Sequence, residues 1–330
     1  VGRGTSREAG TKGRRSRQRA AVNDVVMATT RRKRSLNGEL ALGSRWGISF
    51  DLNHLDQSGA KLMGFGAAGF GGATGEAVSI LPMPTNYTTD NMRFALNWMG
   101  DKGHMSAAYF GSFFRDGYDR VNFQTWAGAS NMQVMATAPD NDFHQLSLAG
   151  GYAFAPKTKL AGSLSYGRNT QNVPYVYDAG MMVSGPPVTS SDGLVETRHA
   201  DLKLTDQTTK DLALAAGMRY DTRDNNTGSY IYNFNAIDGS HPANYPNAPR
   251  SYKRINYDAS GDYRLTKDHF VRLDYNHESL NRWCNNYASG GGTPAYAPGA
   301  LCVVATARTE AKVGATTRAN AGGRGEQRGG

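Results

Sequence analysis

Between Trp46 and Tyr275 apolar and polar residues alternate one by one, in segments of about ten residues. Trp46, Ile48, Phe50 and Leu52 are interleaved with Gly47, Ser49, Asp51 and Asn53. Met92, Phe94, Leu96 and Trp98 form a second such set, and "GDKG" separates it from a third, Met105, Ala107, Tyr109 and Phe113. Leu146, Leu148, Tyr152 and Phe154 lead through "APKT" to Leu160, Leu164 and Tyr166. Leu202 and Leu204 lead through "DQTTK" to Leu212, Leu214, Met218 and Tyr220, and Ile255, Tyr257 and Tyr263 lead through "TKD" to Val271, Leu273 and Tyr275. A period of two is the signature of a β-strand with one apolar face, because successive side chains point to opposite sides of the sheet.

The connections carry as much information as the strands. Short turns are expected near residues 57, 101, 156, 208 and 266, and between them lie long segments at 115–142, 169–195, 223–250 and from 280 onward, rich in Asn, Asp, Gly, Pro and Ser. Strict alternation of short and long connections places all tight turns at one end of the sheet and all long loops at the other. A soluble array packing one face on a partner sheet would mix its loop lengths at both ends. About ten strands, with a weak eleventh after Leu301, then predict an all-β, antiparallel transmembrane barrel occupying residues 41–282 as part of a larger cylinder, since backbone in lipid requires a sheet without free edges. Trp46, Trp98, Tyr109, Phe154, Tyr166 and Tyr275 are the expected aromatic girdle. No run approaches the roughly 18 apolar residues of a spanning helix, while 40 Gly and 17 Tyr suit crowded strand walls and water interfaces.

The net charge of +9 suggests nucleic acid until it is located along the chain. Residues 1–40 hold 11 Lys/Arg against 3 acidic residues, and the segment 41–302 is close to neutral. Arg14, Arg15, Arg17, Arg19 and the Arg31 to Arg34 run have no aromatic residue among them to stack on bases, so residues 1–40 read as a disordered basic tail, not a nucleic-acid surface. That tail is no secretory signal, because "AAVNDVVMA" is broken by Asn23 and Asp24. An exported barrel carries a signal when first made, so an incomplete chain or non-native ends are expected. Residues 283–330 read as a surface loop followed by a Gly/Arg-rich, poorly ordered end.

Four segments carry a resemblance: "QLSLAGGYAFAPKTKLAGSLSYGRNTQNVPYV" at 145–176, "LALAAGMRYDTRDNNT" at 212–227, "SILPMPTNYTTDNM" at 79–92 and "AAYFGSFFRDGYD" at 107–119. Together they resemble the MtrB/PioB outer-membrane proteins, the barrel sheaths of decahaem cytochrome complexes. The likeness covers Trp46 to Asn281, and its most specific parts are Tyr166, Gly167 and Arg168 with Thr170 and Gln171, and Arg219, Tyr220 and Asp221 with Arg223, Asp224 and Asn225. Family members are longer, so the resemblance implies a barrel portion in a bacterial outer membrane. It also implies membrane lipid and a periplasmic or outer-membrane multihaem c-type cytochrome as partners. The Cys-x-x-Cys that some members carry near the mature N-terminus is absent here.

The chain's own chemistry is sparse. Covalent haem attachment needs Cys-x-x-Cys-His, and the two cysteines, Cys284 and Cys302, lack such neighbours, so any haem is expected on a partner. In an oxidising compartment the pair can close a disulfide around a Gly, Pro and Tyr-rich loop; spacing alone leaves two free thiols as the alternative. His54, His104, His144, His199, His241, His269 and His277 are scattered one per segment, without metal-site spacing. "GFGAAG" at 64–69 has the form of a dinucleotide fingerprint but leads into Gly and Pro instead of a helix. Arg219, Asp221, Arg223 and Asp224 read as structural or lumen-lining residues at a strand end. No catalytic constellation emerges. Two functions fit the plan: a sheath around a multihaem cytochrome for extracellular metal reduction or iron oxidation, which the family-like segments favour, and a diffusion porin or surface receptor.

Overall fold

The computed structural model describes residues 27–67, 77–123, 133–177, 185–234, 243–284 and 304–317. The strands are β1 (Thr29–Leu42), β2 (Trp46–Ala67), β3 (Ala77–Met99), β4 (Gly103–Asp116), β5 (Arg120–Phe123), β6 (Gln133–Ala136), β7 (Asn141–Ala155), β8 (Thr158–Gln171), β9 (Gly193–Asp206), β10 (Leu212–Asn225), β11 (Ile231–Phe234), β12 (Ala243–Pro246), β13 (Arg250–Arg264), β14 (His269–Cys284) and β15 (Val304–Thr317). One antiparallel sheet of 11 strands runs in the order β1-β2-β3-β4-β7-β8-β9-β10-β13-β14-β15, open in this structure with β1 and β15 at its edges. The hairpins β5-β6 and β11-β12 stand apart from it, within long connections.

The short turns all lie at one end of the sheet, as the alternation predicts, with one displacement. They fall at 43–45, 100–102, 156–157, 207–211 and 265–268. Gly43 supplies the positive φ of 80° that the first needs. In the last two, Thr209 Oγ1 and Thr266 Oγ1 accept from backbone N–H groups two and three residues on, the hydroxyl-closed turn that Thr favours.

The turn expected near residue 57 does not exist. β2 runs straight through it, Asp56 and Gln57 pairing with Thr88 and Tyr87 on β3 and with Arg32 and Arg31 on β1. The run from Asp56 to Ser58 reads as a turn because that part of the strand is polar on both sides. The basic stretch Arg31 to Arg34 is strand, not tail: it belongs to β1, whose Leu36, Leu40 and Leu42 continue the apolar face, while Arg31 Nε donates to Gln57 Oε1 at 3.0 Å. β1 therefore begins 12 residues before the expected barrel boundary at residue 41, and β15 is the strand expected after Leu301, inside the segment read as a poorly ordered end. Gly64 and Gly66 of the dinucleotide-like motif sit in the last part of β2, paired with β3.

Register defines two faces. The row Ile48, Leu96, Ala107, Leu148, Leu164, Ala200, Tyr220, Ile255 is apolar, and the next row, Ser49, Ala95, Ala108, Ser147, Ser165, His199, Asp221, Arg254, Leu280, is small or polar almost throughout. The apolar band does not follow these rows. On β2 it is centred near Ser49 (Trp46 to Leu52), but on β14 it is Val271 to Tyr275, centred seven residues turnward of Leu280, Ser49's counterpart in the row. A drift of roughly 23 Å along the strands over roughly 38 Å across them corresponds to a strand tilt of about 30° from the band's normal, close to the tilt of membrane barrels.

The sheet has no conventional core. Among the described residues the buried apolar side chains are Ala95 and Ala108, whereas Leu146, Phe154, Leu164, Leu202 and Leu273 are each more than half exposed. A continuous band of this kind is far larger than the apolar patches water tolerates on a soluble protein. Its satisfying surroundings are hydrocarbon, in which a sheet of paired backbone remains hydrogen-bonded.

Candidate functional site

On the polar face, side chains link neighbouring strands into a ladder. Near β2, Asn97 Nδ2 donates to Ser49 Oγ (3.3 Å) and Ser106 Oγ donates to Asn97 Oδ1 (2.7 Å). Gln145 Nε2 donates to Ser165 Oγ at 3.2 Å. The densest part joins β8, β9, β10 and β13. Ser163 Oγ donates to Asp201 Oδ1, whose carboxylate also meets His199 Nε2 at 3.2 Å. His199 Nδ1 lies 2.6 Å from Asp221 Oδ1, and Arg254 reaches Asp221 Oδ2 at 3.4 Å. Farther on, Asn256 and Asn276 exchange amide hydrogen bonds at 3.4 and 3.3 Å, and Arg272 grips Asp274 (2.9 Å) beside Asp262 (3.5 Å). Each exposed pair adds little alone. A ladder of them orients long side chains along the wall and gives a polar occupant of that face hydrogen-bonding partners.

The polar face is uneven. From β2 to β8 its central row is Ser49, Ala95, Ala108, Ser147 and Ser165, short side chains that rise no higher than their neighbours, Ala95 and Ala108 being covered by them. From β9 to β14 the same face carries His199, Asp201, Arg219, Asp221, Arg254, Asp258, Asp262, Arg272, Asp274 and Glu278, and on β15 Glu310 bonds Lys312 at 3.1 Å.

The residues singled out in the sequence divide between the two faces, because adjacent residues of a strand point opposite ways. Gly167, Arg219, Asp221 and Arg223 are on the polar face, while Tyr166, Arg168, Tyr220 and Asp224 are on the apolar one, loopward of the band's centre. They are therefore not one lumen-lining set. Gly167 is buried against Phe143 and Thr197, where a Cβ would come within 2.9 and 2.6 Å. Arg223 donates to the Arg250 carbonyl (3.2 Å). Asp224 accepts from Ser251 Oγ (3.4 Å), and Asn225 Oδ1 accepts from Thr227 N (3.2 Å), which closes the strand end. The six aromatic residues expected as a girdle all lie on the apolar face. Trp46 and Trp98 face each other near the turn end and Phe154 lies farther turnward on β7, while Tyr109, Tyr166 and Tyr275 are toward the loops. Tyr109 Oη contacts His144 Nδ1 at 2.8 Å, and Tyr152 packs edge-on to Phe154 at 5.1 Å.

Two histidines have partners that separate inspection of each residue does not reveal. His199 and Asp201, like His54 and Asp56, are two apart on a strand and so share a face, and each histidine meets a second carboxylate across the strand pair, Asp221 and Asp90. The signal was the i, i+2 spacing. Among the described residues no group of three or more His, Cys, Asp or Glu is arranged to hold a metal ion.

In the loops, Tyr175 and Tyr232 join by their hydroxyls at 2.6 Å; burial, then this contact, pushes the Tyr232 phenol well above its ordinary range. Asp119 is held below the usual carboxylate range by the Arg120 guanidinium bonded to it. Cys284 closes β14 in disulfide form, while Cys302 lies outside the described residues.

The profile of the family described as outer membrane beta-barrel porin, MtrB/PioB, matches residues 4–321. A curated relative, outer membrane protein MtrB of Shewanella baltica (strain OS185), is 25% identical over 262 residues, which cover 77% of this chain and 35% of that protein, so the chain spans about a third of the relative's length. Among solved structures, the siderophore receptor PiuA of Acinetobacter baumannii superposes with a TM-score of 0.43 at 11% identity, covering 86% of this chain and 44% of that one. OmpT of Vibrio cholerae superposes with a TM-score of 0.31 at 8% identity, covering 89% and 99%. With an apolar band, a hydrogen-bonded polar face and a family profile spanning nearly all of its length, this chain belongs to the MtrB/PioB family of outer-membrane β-barrel proteins.

Proposed function

We propose that this sheet is part of a sheath that encloses a multihaem c-type cytochrome and so supports electron transfer across the outer membrane, in extracellular metal reduction or iron oxidation. Family membership supplies the setting. The observation that carries the reading is the unevenness of the polar face. The row Ser49, Ala95, Ala108, Ser147 and Ser165 puts no long or charged side chain in the way of a folded partner, and the charged ladder from His199 to Arg272 supplies polar contacts beside it. The haem belongs to the partner. This chain's part is to hold that partner in the lumen, shield it from hydrocarbon and leave the chemistry to it; the chain is not itself an enzyme.

The test is purification of the full-length protein from membranes under mild detergent, followed by absorbance spectroscopy. A haem Soret band that co-purifies in fixed ratio with the barrel is expected. A colourless barrel that conducts ions in a planar bilayer would overturn the sheath in favour of a diffusion porin, the reading that the family's description favours, or of a surface receptor.

A further inference from the structure

The apolar face is not uniformly filled. A furrow of about 910 Å³ runs between β3 and β10, and a second of about 550 Å³ continues it toward the short turns, the two sharing Leu148, Leu164 and Ala200. The register explains the furrow. Its lowest part is the directly paired Gly150 and Gly162, and in the neighbouring row toward the loops Ala107 and Ala200 leave space on the two outer sides of Leu148 and Leu164. Leu96 and Trp98 form one wall, and Met218 and Tyr220 the other. From Leu160 to Tyr166 its length is roughly 20 Å at about 3.3 Å per residue, the length of an extended acyl chain.

The loop end of this furrow is cationic. Tyr166, Arg198, Thr222 and Lys253 form one register row across β8, β9, β10 and β13, and Arg168 stands two residues loopward in a row with Glu196 and Asp224, three cations against two carboxylates. Arg198 lies 5.9 Å from the centre of the Tyr166 ring and bonds Glu196 at 3.0 Å, while Tyr166 Oη donates to the other Glu196 oxygen at 2.5 Å. Lys253 Nζ stands 5.7 Å over the Tyr220 ring. Between the two cations, Thr222 is only 7% exposed, and its buried hydroxyl has no hydrogen-bond partner. A buried hydroxyl left unpaired between two cations is costly unless a ligand atom reaches it.

We propose that this furrow and its rim bind one phosphate-bearing lipid of the outer leaflet, with an acyl chain over the Gly150 and Gly162 pair and past Ala200, and a phosphate between Arg198 and Lys253, hydrogen-bonded by Thr222. Charge complementarity selects an anionic headgroup over a zwitterionic one. The long-loop end is the outer side of such barrels, and the phosphate-rich lipid of that leaflet is a multi-acyl glycolipid. Guanidinium and ammonium groups poised on tyrosine rings at the hydrocarbon edge are positioned to keep that phosphate. The site is on the opposite face from the lumen, so it holds whether or not a cytochrome lies within.

The test uses the full-length protein, delipidated in detergent and incubated with a bis-phosphorylated, multi-acyl glucosamine disaccharide lipid or with the same lipid stripped of phosphate, bound lipid being counted by native mass spectrometry. Wild type is expected to prefer the phosphorylated form by tenfold or more. R198Q/K253Q should erase that preference, R198K/K253R should restore most of it, and Ala200→Leu should weaken both lipids severalfold by filling the furrow. Heat-modifiable gel mobility shows that each variant is folded. The proposal is overturned if R198Q/K253Q retains the preference, if Ala200→Leu binds as wild type, or if inorganic phosphate alone displaces the lipid.

Discussion

Leu164 and Ser165 are consecutive on β8 yet face different surroundings, so a charge placed at each tests the two-faced reading directly. Leu164 lies inside the apolar band, between its centre and its loopward edge, and is 56% exposed on the apolar face, paired with Leu148 and Ala200. Ser165 is on the polar face, between Ser147 and His199. Arginine on the lipid side of a barrel costs about 2–4 kcal/mol near the midplane and falls to about 0–1 kcal/mol at the interfaces, whereas positions facing a polar lumen are nearly indifferent. At that intermediate depth Leu164→Arg is expected to cost about 1–3 kcal/mol and so to lower the folding equilibrium about 5- to 160-fold, at 1.36 kcal/mol per decade, and Ser165→Arg by about twofold or less. The membrane-extracted protein is unfolded in denaturant and refolded into phosphatidylcholine vesicles, with tryptophan emission and heat-modifiable mobility as readouts. Equal losses at the two positions, or a greater loss for Ser165→Arg, would refute the assignment of faces and with it the tilt drawn from the apolar band.

Other perturbations address single features. Gly43 has a φ of 80° with nothing within 4 Å of a notional Cβ, so Gly43→Val should destabilise the β1-β2 hairpin by about 1–2 kcal/mol through backbone strain alone, and Gly43→Asn by much less; the same refolding assay reads both. His199→Ala and Asp221→Ala should be non-additive by about 1 kcal/mol in a double-mutant cycle, while His199→Ala with Asp274→Ala should add simply. A link between Cys284 and Cys302 predicts that reductant slows the denatured chain's migration on a gel and exposes two thiols to maleimide; two reactive thiols before reduction would refute it.

The hairpins were legible because lipid on one side and a polar surface on the other force strict alternation, as from Trp46 to Leu52. That signal fades where the strands leave the apolar band. At Arg31 to Arg34 and at Asp56 to Ser58 both faces are polar, so the first resembles a tail and the second a turn, although backbone pairing continues through both. The candidate site was read less well. Arg219 to Asn225 looked like one charged motif, whereas the two-residue period sends Tyr220, Thr222 and Asp224 to the side opposite Arg219, Asp221 and Arg223. His199 and Asp221 are brought together by cross-strand register, which depends on the length of the 207–211 turn and not on any local motif. Thr222 carries no chemistry in isolation, and its place between Arg198 and Lys253 likewise follows from register alone.

The edges of the sheet set a rule of parity. In an antiparallel array of 11 strands the first and last point the same way, so β1 and β15 both run from the long-loop end or both toward it. Joining them directly would create a parallel seam, with slanted hydrogen bonds unlike those elsewhere in the sheet. A cylinder in which every neighbour is antiparallel needs an odd number of additional strands between these two, whichever polypeptide contributes them, and the finished circumference is then even.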